Sequence, residues 1–227
     1  MTWKQVFTSS IGKKLVMGLT GISLILFLVV HVGLNACIWA MDGGEMFNRA
    51  ANFMGSNIIP RILEIGLFGG IFLHIIQGYM LTLQNRNKRS VGYAVGYGEG
   101  SKWYSRSMAV LGTLLLLFFI MHWKQFWIPS RFTGMGEVQL PNGKMVHNLF
   151  ALMKDTFQDL WVVILYVIGC ISLGYHLAHG FQSAFRTLGV HNKRYNIMIS
   201  SIGYGFAIIV PLAFAMMPVS FYLGWVR

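Results

Sequence analysis

Five apolar runs dominate this sequence, and each is long enough to cross a lipid bilayer as an α-helix. About 20 apolar residues span roughly 30 Å of hydrocarbon, and within it only helices and closed barrels satisfy the main-chain polar groups. The sequence therefore predicts an all-α membrane protein, with residues 1–227 forming a single transmembrane domain and no room for a soluble catalytic domain. The predicted spans are 15–40, 58–83, 108–128, 160–185 and 197–225.

The charged residues are few and unevenly distributed. Eighteen Lys and Arg stand against seven Asp and Glu, giving a net charge of +11. In a soluble protein this excess favours a nucleic-acid partner, but membrane proteins keep Lys and Arg on the cytoplasmic side. With a cytoplasmic N-terminus, segments 1–14, 84–107 and 186–196 hold eleven cations and one acid, Glu99, leaving seven cations and six acids outside. We therefore predict a cytoplasmic N-terminus, an external C-terminus and no nucleic-acid partner.

The inner cations have two further interpretations beyond orientation. They offer a docking surface for an acidic protein partner or for anionic lipid headgroups, or they are solvated loop ends that only set the topology. The eleven are Lys4, Lys13, Lys14, Arg86, Lys88, Arg89, Lys102, Arg106, Arg186, Lys193 and Arg194.

The two cysteines do not point to a metal or disulfide site. Cys37 and Cys170 both lie inside apolar runs and show neither C-x-x-C nor C-x-x-C-H spacing. This pattern argues against a disulfide framework, a zinc site and covalently attached haem. We interpret both as structural thiols.

Histidines inside the apolar runs are the most informative residues. An ionisable group in a membrane helix is costly and usually functional, and neutral imidazole is an axial ligand of haem iron. Each of the first four runs contains at least one histidine, whereas the fifth contains none. A single such residue is more often a packing residue, but four on separate helices suggest paired ligation. The histidines in the runs are His31, His74, His122, His176 and His179.

Depth along the helices predicts how these histidines pair. We count about 1.5 Å per residue from the nearest inner cation of each span. His31 and His122 then lie about 25 and 24 Å from the inner edge. By the same rise His74 and His176 lie at about 18 and 15 Å. We therefore predict two haems b, an outer one bound by His31 and His122 and an inner one bound by His74 and His176. These four histidines are also the predicted iron ligands.

Two sequence features bear on the assignment of His74 and His176 as the inner pair. Small residues flank both histidines at i−4 and i+4, where they would leave room for a flat macrocycle or let helices pack closely. They are Gly70, Gly78, Ser172 and Gly180. His179 lies three residues after His176, near the same helix face, so it is an alternative ligand, although we prefer His176.

The chain resembles the di-haem cytochrome b subunits of succinate:quinone oxidoreductases and fumarate reductases. The resemblance covers essentially the whole chain, and its most specific segment is GYHLAHGFQSAFRTLG at 174–189. SSIGKKLVMGLTG at 9–21 and SRSM at 105–108 add to it. In the family a single histidine on the fourth span precedes a glycine by four residues, as His176 precedes Gly180, whereas His179 is an addition.

The resemblance implies a function and partners. It implies a multi-pass anchor in the bacterial cytoplasmic membrane that binds two haems b. A flavoprotein subunit and an iron–sulfur subunit would dock on its cytoplasmic face. The chain would carry electrons between them and a quinone, either menaquinone or ubiquinone, in a succinate dehydrogenase or in the reverse direction in a fumarate reductase. Neither the direction of catalysis nor the quinone type is encoded in the residues.

Quinone reduction requires two protons, so a carboxylate or another relay is expected near the quinone. Glu64 and Arg61, at the outer start of the second span, are the candidates, although they also fit a structural pair three residues apart. Trp123 and Lys124 would line a quinone pocket or contact a haem propionate, or else anchor the interface.

Two other functions fit part of the pattern. A di-haem cytochrome b of another quinone-linked dehydrogenase, such as a hydrogenase or a formate dehydrogenase, would use the same four histidines with different partners. A proton- or metal-coupled transporter would also place histidines in its spans. However, the sequence shows no buried acid pairs in mid-span and no internal repeat of the kind transporters carry.

Overall fold

The computed structural model describes residues 9–87, 107–190 and 192–226, together with residues 2 and 103. Helices make up most of this part of the chain. They are α1 (Ser10–Ala36), α2 (Glu45–Ser56), α3 (Ile58–Asn87), α4 (Met108–His122), α5 (Leu149–Thr156), α6 (Leu160–Thr187) and α7 (Lys193–Tyr222). A 3-10 turn (Cys37–Ala40) follows α1, and two π-helical turns (Trp123–Trp127 and Pro129–Thr133) follow α4.

Five helical segments are long and apolar enough to cross a membrane, as the sequence predicts. They are Ser10–Ala40, Ile58–Asn85, Met108–Thr133, Leu160–Thr187 and Arg194–Tyr222. The all-α membrane architecture is therefore confirmed at the level of length and composition.

Some helix bounds differ from the predicted ones for identifiable reasons. The first helix begins at Ser10 rather than residue 15, because Ser9 caps it by accepting a hydrogen bond from the Gly12 N–H at 3.0 Å. The third span continues past residue 128 to Thr133, since π-helical turns accommodate Pro129. The last helix ends at Tyr222, before the left-handed Gly224, so Trp225 lies outside it.

Close contacts between α6 and its neighbours organise the bundle. A Cβ added at Gly174 would lie 3.1 Å from the main-chain oxygen of Ala207 on α7. Ser172, which is 3% exposed, donates from its hydroxyl to the main-chain oxygen of Leu111 on α4 at 3.1 Å. Small side chains on α6 therefore allow the helix backbones to approach closely, as is typical of membrane bundles.

The connections between the first and second spans and between the third and fourth spans contain structure of their own. Helices α2 and α5 pack together with an antiparallel hairpin of β1 (Glu137–Gln139) and β2 (Met145–His147). The buried Asn48 ties this group together, since it donates to Asn148 Oδ1 at 3.1 Å and accepts from the Phe150 N–H at 2.9 Å. The connections thus form a cap over one end of the bundle.

The other end of the bundle is where α1 and α7 begin and where α3 and α6 end, and we call it the basic end. The described cations there include Lys13, Lys14, Arg186 and Arg194. Several residues used in the sequence analysis lie outside the described residues. They are Lys4, Lys88, Arg89, Glu99, Lys102, Ser105 and Arg106.

Candidate functional site

Four histidines on four different helices meet as two pairs inside the bundle. The rings of His31 on α1 and His122 on α4 have centroids 6.0 Å apart. The rings of His74 on α3 and His176 on α6 have centroids 6.2 Å apart. These are the pairs that the depth count predicts. Their role as haem ligands stays a prediction.

The spacing within each pair suits one metal ion between two imidazoles. A bond from a metal to an imidazole nitrogen is about 2 Å long. When a metal lies in line between two imidazoles, the distance between the ring centroids is the sum of both bonds and of the distance from each nitrogen to its own ring centroid, about 6 Å in all. Both observed separations match this value. The two rings of a pair are steeply inclined, by 88° and 62°.

Open space also remains on the helix faces beside the inner pair. All four histidines are partly accessible rather than tightly packed. An added Cβ at Gly70 on α3 or at Gly180 on α6 would meet nothing within 4 Å. The two glycines therefore fit the predicted role of making room. Ser172 does not, because it packs against α4, and a Cβ at Gly78 would touch the Met17 side chain at 3.7 Å.

Hydrogen bonds assign the tautomer of His74. The Thr20 hydroxyl donates to the main-chain oxygen of Val16 at 2.7 Å, and its oxygen lies 3.1 Å from His74 Nδ1. Since the hydroxyl proton is already used, the bond to His74 runs from Nδ1–H to Thr20 Oγ1. The Nε2 lone pair of His74 is then available to a metal, as in metal sites where a second partner fixes the ring.

The same logic applies to His122. The Tyr166 hydroxyl donates to Gln125 Oε1 at 2.8 Å and lies 3.3 Å from His122 Nδ1. The Tyr166 oxygen therefore accepts from the His122 Nδ1–H, which again leaves Nε2 with its lone pair. On the partner ring, Asn35 Nδ2 donates to the main-chain oxygen of His31 at 2.8 Å and lies 3.4 Å from His31 Nδ1. Because an amide nitrogen only donates, this contact does not free the Nε2 lone pair of His31 in the way that the Tyr166 oxygen does for His122.

The two pairs have different surroundings. Aromatic rings enclose the His31–His122 pair, with Phe27 stacked on His31 at 5.0 Å and Phe118 stacked on His122 at 5.6 Å. The His74–His176 pair lies instead among small and polar residues. The His176 Nδ1 atom is buried and has no hydrogen-bond partner. An unsatisfied buried nitrogen is costly and calls for an explanation.

His179 occupies a separate position. Its Nε2 atom lies 3.2 Å from the Ser183 hydroxyl one turn further along α6. Within the described part of the chain, His179 makes no ring contact with another histidine, whereas His176 contacts His74. The geometry thus favours His176 over His179 as the partner of His74.

Glu64 forms the densest polar cluster near the capped end. Arg131 donates two hydrogen bonds to its carboxylate, at 3.2 and 3.0 Å. Trp127 Nε1 donates at 2.6 Å, and the more exposed Arg61 contributes one contact at 3.3 Å. The predicted pair of Glu64 and Arg61 is therefore present, but Arg131 and Trp127 are the stronger partners. The sequence analysis missed Arg131 because it lies beyond the predicted end of the third span.

Aromatic side chains extend this cluster along α3. Phe68 lies between Trp123 and Trp127, with ring centroids 5.1 and 4.9 Å away. Trp123 also stacks on Phe119 at 5.8 Å. Lys124, in the same π-helical turn, is exposed. The arrangement combines hydrogen-bond donors with flat apolar surfaces at one place on the bundle.

No group of three or more His, Cys, Asp or Glu side chains suited to a metal ion occurs among the described residues. A bis-histidine haem site needs only two protein ligands. Comparison of the chain with protein-family models, with curated proteins and with solved structures finds no match.

Proposed function

We propose that this chain is the di-haem cytochrome b anchor of a succinate:quinone oxidoreductase or quinol:fumarate reductase. The observation that carries the proposal is the pairing of four histidines from four helices at 6.0 and 6.2 Å. Two such pairs in one membrane bundle are the ligand set that two b-type haems require. The succinate-linked assignment comes from the sequence resemblance.

In this proposal His31 and His122 hold one haem, and His74 and His176 hold the other. Each haem, when bound, supplies a one-electron carrier whose potential depends on its ligands and their hydrogen bonds. Tyr166 and Thr20 act as positioning residues, because each accepts the Nδ1–H of a ligand and turns Nε2 inward. Gly70 and Gly180 leave space beside the inner pair.

The two sites lie at different depths along the bundle. Thr20, which contacts His74, is eleven residues before His31 on the same helix, an axial separation of about 16 Å. The inner pair is nearer the basic end, where the soluble subunits would dock, and the outer pair is nearer the cap. This spacing supports electron transfer across much of the bilayer.

The Glu64 cluster is the proposed quinone site. Quinone carbonyl oxygens accept hydrogen bonds, and Arg131 and Arg61 carry guanidinium N–H groups beyond those they give to Glu64. The single indole N–H of Trp127 holds the Glu64 carboxylate. Phe68 and Trp123 offer flat faces on which a quinone ring can stack. Glu64 then has two roles, to orient these donors and to relay protons.

The proposed setting follows from the charge pattern and the resemblance. The basic end faces the cytoplasm of a bacterial cell, and a flavoprotein subunit and an iron–sulfur subunit dock there. The capped end and the C-terminus face outward, and the chain is an integral protein of the cytoplasmic membrane.

Absorption spectroscopy of the purified chain, with any subunits that accompany it, tests the proposal. We expect b-type bands from two haems and the loss of one haem in each of His31→Ala and His74→Ala. His147→Ala is the matched control, because His147 is exposed on β2 and belongs to neither pair. A colourless wild-type protein would contradict the proposal and favour a transporter. Co-purification with a hydrogenase or formate dehydrogenase subunit instead of a flavoprotein would replace the succinate assignment.

A further inference from the structure

A cavity with two cations in its wall opens between α1 and α6 at the basic end. Its volume is about 330 Å³, and its lining consists of Ile11, Lys14, Leu15, Arg186 and Thr187. None of these residues belongs to the histidine pairs or to the Glu64 cluster. The cavity therefore needs an explanation of its own.

The cavity arises from the way the two helices cross. At Gly18 an added Cβ would lie 3.4 Å from the Ala184 main-chain oxygen and 3.5 Å from Thr187 Cβ, so the backbones nearly touch there. One turn nearer the end of the bundle, α1 carries the long side chain of Lys14, and on α6 the long side chain of Arg186 lies beside Thr187. The helices are thus tightly packed at Gly18 and leave a gap between Gly18 and the basic end of the bundle.

The charge in this gap is uncompensated within the described residues. Their ion pairs involve Arg49, Arg61 and Arg131, and neither Lys14 nor Arg186 takes part in one. The described carboxylates are Asp42, Glu45, Glu64, Glu137, Asp155 and Asp159, all on the segments near the cap. Two like charges facing one cavity repel each other and attract an anion.

The wall of the cavity also specifies what kind of anion fits. Ile11 is 73% exposed, and with Leu15 it gives the cavity an apolar side next to the cationic one. The cavity lies at the ends of two membrane spans, the level at which lipid headgroups meet acyl chains. A free phosphate would use only the cations, whereas a phospholipid would use both sides of the wall.

We infer that this cavity binds the headgroup phosphate of an anionic phospholipid. Lys14 and Arg186 hold the phosphate, and Ile11 and Leu15 contact the start of an acyl chain. Basic pockets between spans on the cytoplasmic side are a known type of lipid site. The inference is independent of the haem and quinone proposals, because it uses none of their residues.

Lipid exchange in vesicles tests the inference. The full chain, with the subunits that accompany it, is reconstituted in phosphatidylcholine vesicles that contain a small fraction of spin-labelled phosphatidylglycerol. We expect a motionally restricted lipid population in the wild-type protein. The relative affinity of the labelled lipid should fall about fivefold in each of the single variants Lys14→Gln and Arg186→Gln, since each cation near the surface contributes on the order of 1 kcal/mol. Lys14→Arg should retain the affinity.

Arg194→Gln is the matched control, because Arg194 is an exposed cation at the same end but outside the cavity. If Arg194→Gln lowers the affinity as much as Arg186→Gln, the preference is a general surface effect and the site is wrong. Displacement of the labelled lipid by excess inorganic phosphate would show a phosphate site instead. Loss of the restricted population when a soluble subunit is bound would show that this surface belongs to a protein partner. The helical circular-dichroism spectrum of each variant reports that it is folded, with or without haem.

Discussion

The hydroxyl oxygen of Tyr166 lies 3.3 Å from Nδ1 of His122 and donates its own proton to Gln125 at 2.8 Å. This short chain fixes the tautomer of His122 from a different helix, α6. A histidine that donates through one nitrogen becomes a more basic ligand through the other. Tyr166 is therefore expected to tune the outer site without touching a metal.

Tyr166→Phe should raise the midpoint potential of the haem held by His31 and His122. Loss of the acceptor makes His122 a weaker electron donor, which favours the reduced iron. We expect a rise of up to about 59 mV, a tenfold change in a one-electron equilibrium. A potentiometric titration followed in the visible bands measures both haems, and the inner one should not move.

The control for this variant is Tyr79→Phe. Tyr79 also hydrogen-bonds through its hydroxyl, to Thr113 at 2.7 Å, but contacts no histidine. Equal shifts of the midpoint potential in both tyrosine variants, or a shift in the potential of the inner haem alone, would show that Tyr166 does not act through His122.

Thr20→Val should have the corresponding effect at the inner site. Valine keeps the shape of the side chain but removes the oxygen that lies 3.1 Å from His74 Nδ1. We expect a rise in the potential of the inner haem and full retention of both haems. Thr82→Val is the matched control, since the one bond of Thr82 within the described residues goes to the Gly78 main-chain oxygen. An unchanged inner potential in Thr20→Val would mean that the contact is incidental.

The pairing of the histidines could be predicted from the sequence because helical rise is fixed. Counting residues from the cations that mark the basic end placed His31 level with His122, and His74 close to the level of His176. Residue counting does not give the rotation of each helix, so it leaves His179 as an alternative to the preferred His176. The ring contact between His176 and His74 adds the geometric distinction. The orienting roles of Thr20 and Tyr166 were also missed, because nothing in sequence spacing links residues on different helices.

The Glu64 cluster shows where sequence reasoning fails. The apolar run of the third span ends near Ile128, and Pro129 normally stops a helix. The structure continues through π-helical turns instead and brings Arg131 back to Glu64. The indole N–H of Trp127 also bonds Glu64, a link between two helices that residue spacing does not indicate. The small hairpin at 137–147 was also not predicted, because strands of three residues are too short to show an alternating pattern.

Arg131→Gln should slow quinone-linked turnover more than Arg61→Gln does. Arg131 holds the Glu64 carboxylate through two bonds, whereas Arg61 is more exposed and makes one long contact. We expect about a tenfold loss for Arg131→Gln, the size of one charged hydrogen bond, and less than about twofold for Arg61→Gln, as for an exposed pair. The assay measures electron transfer to a soluble quinone analogue.

Haem reduction by dithionite provides the internal check for these two variants. It should be normal in both, because neither arginine contacts a histidine pair. A quinone rate that is unaffected by Arg131→Gln would remove the Glu64 cluster from the quinone site. Loss of a haem from Arg131→Gln would instead indicate a structural role.

His176→Ala and His179→Ala should separate the two candidates for the fourth ligand. His176 has its ring 6.2 Å from that of His74, and its Nδ1 atom is buried without a partner. His179 bonds Ser183 one turn away. We therefore expect His176→Ala to lose the same haem as His74→Ala, and His179→Ala to keep both haems. Haem content per chain and low-temperature spectra measure the difference. The reverse pattern would assign the ligand to His179 and would require α6 to be rotated relative to the structure described here.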